Sequence, residues 1–197
     1  MINETLKFLL DEVNQFLSQK LGANTDPRFV LGNITKAMDN EGAGTNSLSN
    51  KGILSLVNVE EDRIARQQEN FVKTDNGINY KNPPLYLNLY VVFAVNVTEY
   101  AEALKWLSYV IQFFQYQRVF TPLSHPALDP KIQKIILDLH SMSFEQVNHL
   151  WSILGGKYLP SALYKIRQIT LDEEAIIAGG GIITEIELSG RTKLQLT

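Results

Sequence analysis

Apolar residues recur at three- and four-residue steps through Ile2, Leu6, Leu9, Leu10, Val13, Phe16, Leu17 and Leu21, so residues 2–21 read as a helix with one apolar stripe. Gly22 stands at the helix C-cap. Beyond Pro27, residues 29–34 suit a short strand, and the Gly/Asn/Ser-rich residues 39–50 read as a loop. Residues 53–59 form a compact apolar run of strand length. The mostly polar residues 60–84 contain the turn dipeptide Asn76-Gly77 and read as a long surface loop, of the kind that usually carries a function.

A period-two pattern follows. Leu85, Leu87, Leu89, Val91, Phe93 and Val95 share one face, and Tyr86, Asn88, Tyr90, Val92, Ala94 and Asn96 share the other. Neither face is charged, which predicts a central strand covered by helices on one side and partly by a neighbouring chain on the other. Asn96-x-x-Glu99 spells a capping box ahead of Tyr100, Leu104, Leu107, Ile111 and Phe114, so a second helix is predicted to about Gln117. Pro122, Pro126 and Pro130 stiffen the next connection, and residues 132–139 read as a strand. Ser143-x-x-Gln146 opens a short helix through Trp151 that stops at Gly155-Gly156, and residues 163–171 alternate as a strand. Gly179-Gly180-Gly181 reads as a hinge before two alternating runs, 182–188 and 192–196. The order predicts an α+β fold: an antiparallel or mixed sheet with helices mainly on one face, plus a C-terminal arm.

Composition narrows the function classes. Eighteen Lys plus Arg against twenty-one Asp plus Glu give a net charge of -3, which does not advertise nucleic acid or an anionic membrane as a partner. The absence of Cys removes disulfides, thiolate metal sites and cysteine nucleophiles. The N-terminus has no basic leader ahead of an apolar block, which argues against a secretory signal, and the longest apolar stretch falls short of the roughly 20 residues a spanning helix needs.

Chemical motifs are weak. Gly155-Gly156-Lys157 lacks the first glycine of a phosphate loop, where Trp151 stands, and has Tyr158 in place of the hydroxyl that would hold magnesium. His125, His140 and His149 do not have metal-ligand spacing. Ser124, His125 and Asp129 contain the ingredients of nucleophilic catalysis, crowded into one Pro-rich loop. No catalytic, metal or cofactor site is expected. Glu60, Glu61, Asp62, Arg63 and Arg66 read as a charged rim that pairs with a neighbour rather than as paired catalytic carboxylates, because adjacent residues point different ways.

Four segments carry a resemblance: LVNVEEDRIARQ (56–67), PPLYLNLYVVFAVN (83–96), YAEALKWLSYVIQFFQYQRVF (100–120) and LWSILGGKYLPSALYKIR (150–167). Together they resemble the N-terminal domain of the cap, or terminator, proteins of extracellular contractile injection systems, phage-tail-like particles with an inner tube inside a contractile sheath. The resemblance covers roughly residues 1–172 and implies a terminator domain, taken here as 1–174; the asparagine-rich loop and the Gly-hinged arm over 175–197 lie outside the resemblance, and the arm is read from its glycines and alternation. The resemblance also implies a non-enzymatic role: a homo-oligomeric ring, six-fold, seated on the last layer of the inner-tube protein, ending tube growth and fastening the sheath protein. Assembly in the bacterial cytoplasm, in a particle released from the cell, follows from the same resemblance. Residues 62–82 are the expected reach toward the tube. The arm, through Ile182, Ile183, Ile186, Leu188, Leu194 and Leu196, is expected to pair with a sheath strand. A baseplate or plug component of the same particle, and a small hydrolase on Ser124, His125 and Asp129, are the alternatives.

Overall fold

The computed structural model describes residues 1–38, 48–62, 71–74, 77–81, 85–171 and 176–180, with side chains at 1–36, 48–62, 85–167 and 169. The chain divides into two compact units, residues 1–65 with 85–171, and residues 66–84 with 172–197. In chain order the elements are α1 (Ile2–Leu21), β1 (Phe29–Leu31), α2 (Ile34–Met38), β2 (Lys51–Glu61), β3 (Phe71–Thr74), β4 (Gly77–Lys81), β5 (Leu85–Asn96), α3 (Tyr100–Tyr116), β6 (Val119–Phe120), β7 (Ile135–Leu139), α4 (Phe144–Ile153), β8 (Ser161–Leu171) and β9 (Ile176–Gly180).

The first unit is an α+β domain around a six-stranded sheet of order β1-β2-β5-β8-β7-β6. β1 runs parallel to β2 and every other pairing is antiparallel, so the sheet is mixed. β5 holds the centre because both its faces can be buried. Its odd residues Leu87, Leu89, Val91, Phe93 and Val95 join the main core with Leu9, Val13 and Leu17 of α1 and Val110, Phe113 and Phe114 of α3. Burial at this scale is the main stabilising term of the domain. The other face has a smaller core, in which Val92 and Ala94 of β5 meet Ile34 of α2 and Trp151 of α4. The two long helices thus cover one face, and the two short ones cover part of the other.

Within the second unit, β3 and β4 form an antiparallel hairpin whose innermost pair is Thr74 with Gly77, and β9 pairs antiparallel with β4.

Several local expectations are met by their stated physics. α1 spans the predicted residues, and Gly22 ends it at φ 87°. Ser143 accepts from the Gln146 N–H while Gln146 reaches back to the Ser143 N–H, so the predicted capping box of α4 forms.

Others are corrected. The strand expected over 29–34 ends at Leu31, because the Asn33 side chain accepts from the Thr35 N–H at 3.0 Å and turns the chain into α2. Asn96 caps no helix. It pairs with Lys51 as the last residue of β5, and Thr98 is held instead by Asn50 Oδ1 at 3.0 Å. The long loop expected over 62–82 contains β3 and β4; their β-branched and aromatic residues Phe71, Val72, Ile78 and Tyr80, around a two-residue connection, favour a hairpin that the polar surroundings disguise. Gly179 and Gly180, read as a hinge, pair with Asn79 and Ile78, while Gly181 lies outside the described residues.

Candidate functional site

The half of the second sheet face that α2 and α4 leave open carries a row of polar side chains running across four strands. The antiparallel register aligns Asn58 of β2, Tyr90 of β5, Lys165 of β8 and Asp138 of β7. The Tyr90 hydroxyl donates to Glu60 Oε2 at 2.8 Å, and Lys165 Nζ reaches the same oxygen at 3.5 Å while lying 5.3 Å from the Tyr90 ring centroid. The Tyr90 hydrogen bond, then the Lys165 charge, hold the Glu60 carboxyl below the ordinary carboxylate range. Contact with the Tyr90 hydroxyl, with the Glu60 charge adding to it, holds the Lys165 ammonium above its ordinary range. His140 closes this end, its ring edge-on to Tyr90 at 5.3 Å.

At the other end one carboxylate serves two arginines. Asp138 Oδ1 accepts from Arg118 Nη2 at 2.5 Å, and Oδ2 accepts from Arg167 Nη2 at 2.7 Å. Each guanidinium is thereby held by one oxygen rather than in a two-pronged fork. Arg167 Nε is buried without a hydrogen-bond partner. So is Oδ1 of Asn88, which is 4% exposed and stands opposite the β8 irregularity where the register steps from Ile166 to Ile169. Both atoms are shut off from the surface, in contrast to most buried polar atoms, which are satisfied.

Of the charged rim expected from sequence, Glu60 lies in this row. Glu61 follows it in β2, and the Asp62 N–H donates to the Tyr86 carbonyl at 2.7 Å, extending the pairing with β5. Arg63, Arg66 and the arm residues Ile182, Ile183, Ile186, Leu188, Leu194 and Leu196 lie outside the described residues. Tyr90, Lys165, Asp138, Arg118 and Arg167 were not singled out from sequence as site residues. The signal present was the alternation of Lys165 and Arg167 with apolar neighbours, which placed them on a polar face without naming its other members.

The hydrolase constellation does not assemble as spaced. Asp129 Oδ1 accepts from the Lys131 N–H at 2.9 Å and so braces its own turn. Ser124 Oγ lies 2.8 Å from His125 Nδ1 and also 3.1 Å from the Thr121 carbonyl, while His125 Nε2 is 4.0 Å from Glu12 Oε2 of α1. The imidazole packs edge-on against Phe120 and Phe8, with centroids at 4.9 and 5.9 Å. This histidine wedges the proline-rich connection against α1. Gly155 and Gly156 take φ 109° and 77° at the end of α4, a helix stop, and Trp151 is buried in the smaller core. Among the described residues no group of three His, Asp or Glu side chains is placed to hold a metal ion, and no helix is long and apolar enough to cross a membrane.

The fold is shared with solved proteins. The cryo-EM structure of the PVC sheath/tube terminator of an extracellular contractile injection system, in its extended state, matches with a TM-score of 0.56 over 95% of this chain and 65% of that one, at 13% identity. The tube-terminating cap of the anti-feeding prophage matches with a TM-score of 0.55 over 91% of this chain and 59% of that one, at 11% identity. The chain therefore spans less than two thirds of the length of either solved protein. No curated protein sequence matches it. The Pvc16 N-terminal domain family matches residues 4–185 of the 197, and to that family the chain belongs.

Proposed function

We propose that this chain is a structural cap of an extracellular contractile injection system, seated on the last layer of the inner tube, where it ends tube growth and anchors the sheath. One observation carries the reading: its fold follows a sheath/tube terminator over 95% of its length. The polar sheet face supports it from chemistry, since it presents charge pairs suited to recognition. The role is non-enzymatic.

A cap must match the layer beneath it and refuse the layer above, so a ring that closes on itself suits the task. The ring is a homo-hexamer, assembled in the bacterial cytoplasm on a tube that leaves the cell within the finished particle. The arm over residues 182–197 pairs with a strand of the sheath, and residues 62–82 reach toward the tube. These are roles proposed for segments; the arm, and residues 63–70, 75, 76 and 82 of the other segment, lie outside the described residues.

The test is imaging of particles from cells that lack this gene. Tubes of uncontrolled length with loose sheaths are expected. Uniform tubes with firmly held sheaths overturn the reading, and localisation of the tagged chain at the tip bearing the baseplate converts it to a baseplate role.

A further inference from the structure

The root of the C-terminal arm is a strand. Its register sets Ile176 opposite Lys81, Ala178 opposite Tyr80, Gly179 opposite Asn79 and Gly180 opposite Ile78, so β9 is the third strand of the sheet that begins with the β3–β4 hairpin. A run of unpaired glycines would let the arm swing independently of the chain before it. Pairing removes that freedom from Gly179 and Gly180, because a ladder fixes the main chain of both partners.

The hairpin and the root of the arm therefore share one strand, β4, which pairs with β3 on one side and with β9 on the other. The two segments are about a hundred positions apart in the chain and are joined only by this pairing and by the domain between them. The strength of the link is uneven. Ile176 and Ile177 are β-branched and favour a pleated strand, whereas Ala178, Gly179 and Gly180 bring little side chain to the sheet, so main-chain hydrogen bonds alone hold the end from which the arm departs.

We propose that β9 is a coupling strand, which makes the segment that reaches toward the tube and the arm that pairs with the sheath one mechanical body. A displacement of the arm is passed through the β4–β9 ladder to the hairpin, and breaking that ladder frees the arm without touching the first unit. The partners at the two ends rest on the cap reading above; the ladder between them does not.

The experiment has two arms, both on the full chain. The chain has no cysteine, so an introduced pair reports alone. Asn79→Cys with Gly179→Cys puts thiols on directly opposed residues, which antiparallel pairing holds about 4.5–5.5 Å apart at Cα, within reach of a disulfide. Asn79→Cys with Gly180→Cys puts the second thiol on the other face. The first pair is expected to oxidise to an intramolecular disulfide and the second to stay reduced, by thiol titration and mass spectrometry. A reduced first pair, or equal oxidation of both, overturns the ladder.

Adjacent strand residues aim their N–H groups at opposite edges, so Ala178→Pro with Gly179→Pro removes a ladder donor from β9. Amides of β4 are expected to exchange with deuterium about ten-fold faster in this variant, the effect of one lost hydrogen bond, while those of β5 keep their protection. Particles carrying it are expected to end their tubes at wild-type length and to shed their sheaths. Unchanged exchange in β4, or sheaths held as firmly as in wild type, overturns the coupling. Should β5 lose protection as well, the variant has unfolded the domain and the thiol pairs decide the ladder. Uniform tubes with held sheaths in cells lacking the gene overturn the cap reading instead, and leave the thiol and exchange results to decide the ladder.

Discussion

The ring of Phe29 occupies the space in which Gly52 would carry a β-carbon, its nearest atoms 2.5 Å from that position. The two residues are partners in the parallel register of β1 and β2, and Phe29 goes on to meet Phe93 and Trp106 at 6.0 and 6.3 Å. Any side chain at residue 52 must push this ring out of the main core. Gly52→Ala is therefore expected to destabilise the domain by about 1–3 kcal/mol, the usual cost of overpacking, read as a lower midpoint in urea unfolding. An unchanged midpoint would show that Phe29 has room to move.

The cross-strand row predicts a pH effect. Glu60 is held as a carboxylate by Tyr90 and Lys165, so its folded value lies below its unfolded one. The stability it contributes is present above the unfolded value and is lost as pH falls through the folded one. Tyr90→Phe removes the first cause and is expected to raise the Glu60 titration midpoint toward the ordinary carboxylate value, followed by carboxyl carbon shifts in NMR. A midpoint that stays low would assign the effect to Lys165.

Burial pushes the Tyr164 hydroxyl up to about 12, and the ring packs on Phe114 and Phe93 at 4.9 and 5.8 Å. The unfolded chain ionises first, so this contribution is intact below the ordinary tyrosine value near 10 and is lost as pH rises through about 12. Tyr164→Phe is expected to keep more of its neutral-pH stability at alkaline pH than the parent does, measured by thermal melting across that range. Parallel alkaline losses in both proteins would count against it.

Ser143 ties α4 to its capping box, and α4 carries Trp151 into the smaller core. Ser143→Ala leaves a helix N–H without its acceptor and is expected to cost about 1 kcal/mol. Tryptophan fluorescence during denaturant unfolding measures it, and Ser143→Asp, which can accept the same bond, should recover most of the loss.

Legibility followed the range of the interactions. The stripe of α1 and the alternation of β5 are written within a few turns of chain, and the structure follows both. The hairpin of β3 and β4 was hidden because its short strands sit in a polar context that resembles a loop. Asn96 had the spelling of a cap but was taken up by strand pairing with Lys51, a partner 45 positions upstream. The site was legible only at Glu60. Its partners Tyr90 and Lys165 are 30 and 105 residues away, and no local pattern links them.

By itself the sequence determined the longer elements, α1, β5 and α3, and the capped α4, because side-chain periodicity and capping act over one or two turns. It also carried the family, through residues 56–67, 83–96, 100–120 and 150–167 in order. The tertiary structure alone decided which strands lie side by side, and hence that Asp138 is shared between Arg118 and Arg167. The reason is physical: register between distant strands is set by packing of the whole core, and only register turns scattered charges into a surface.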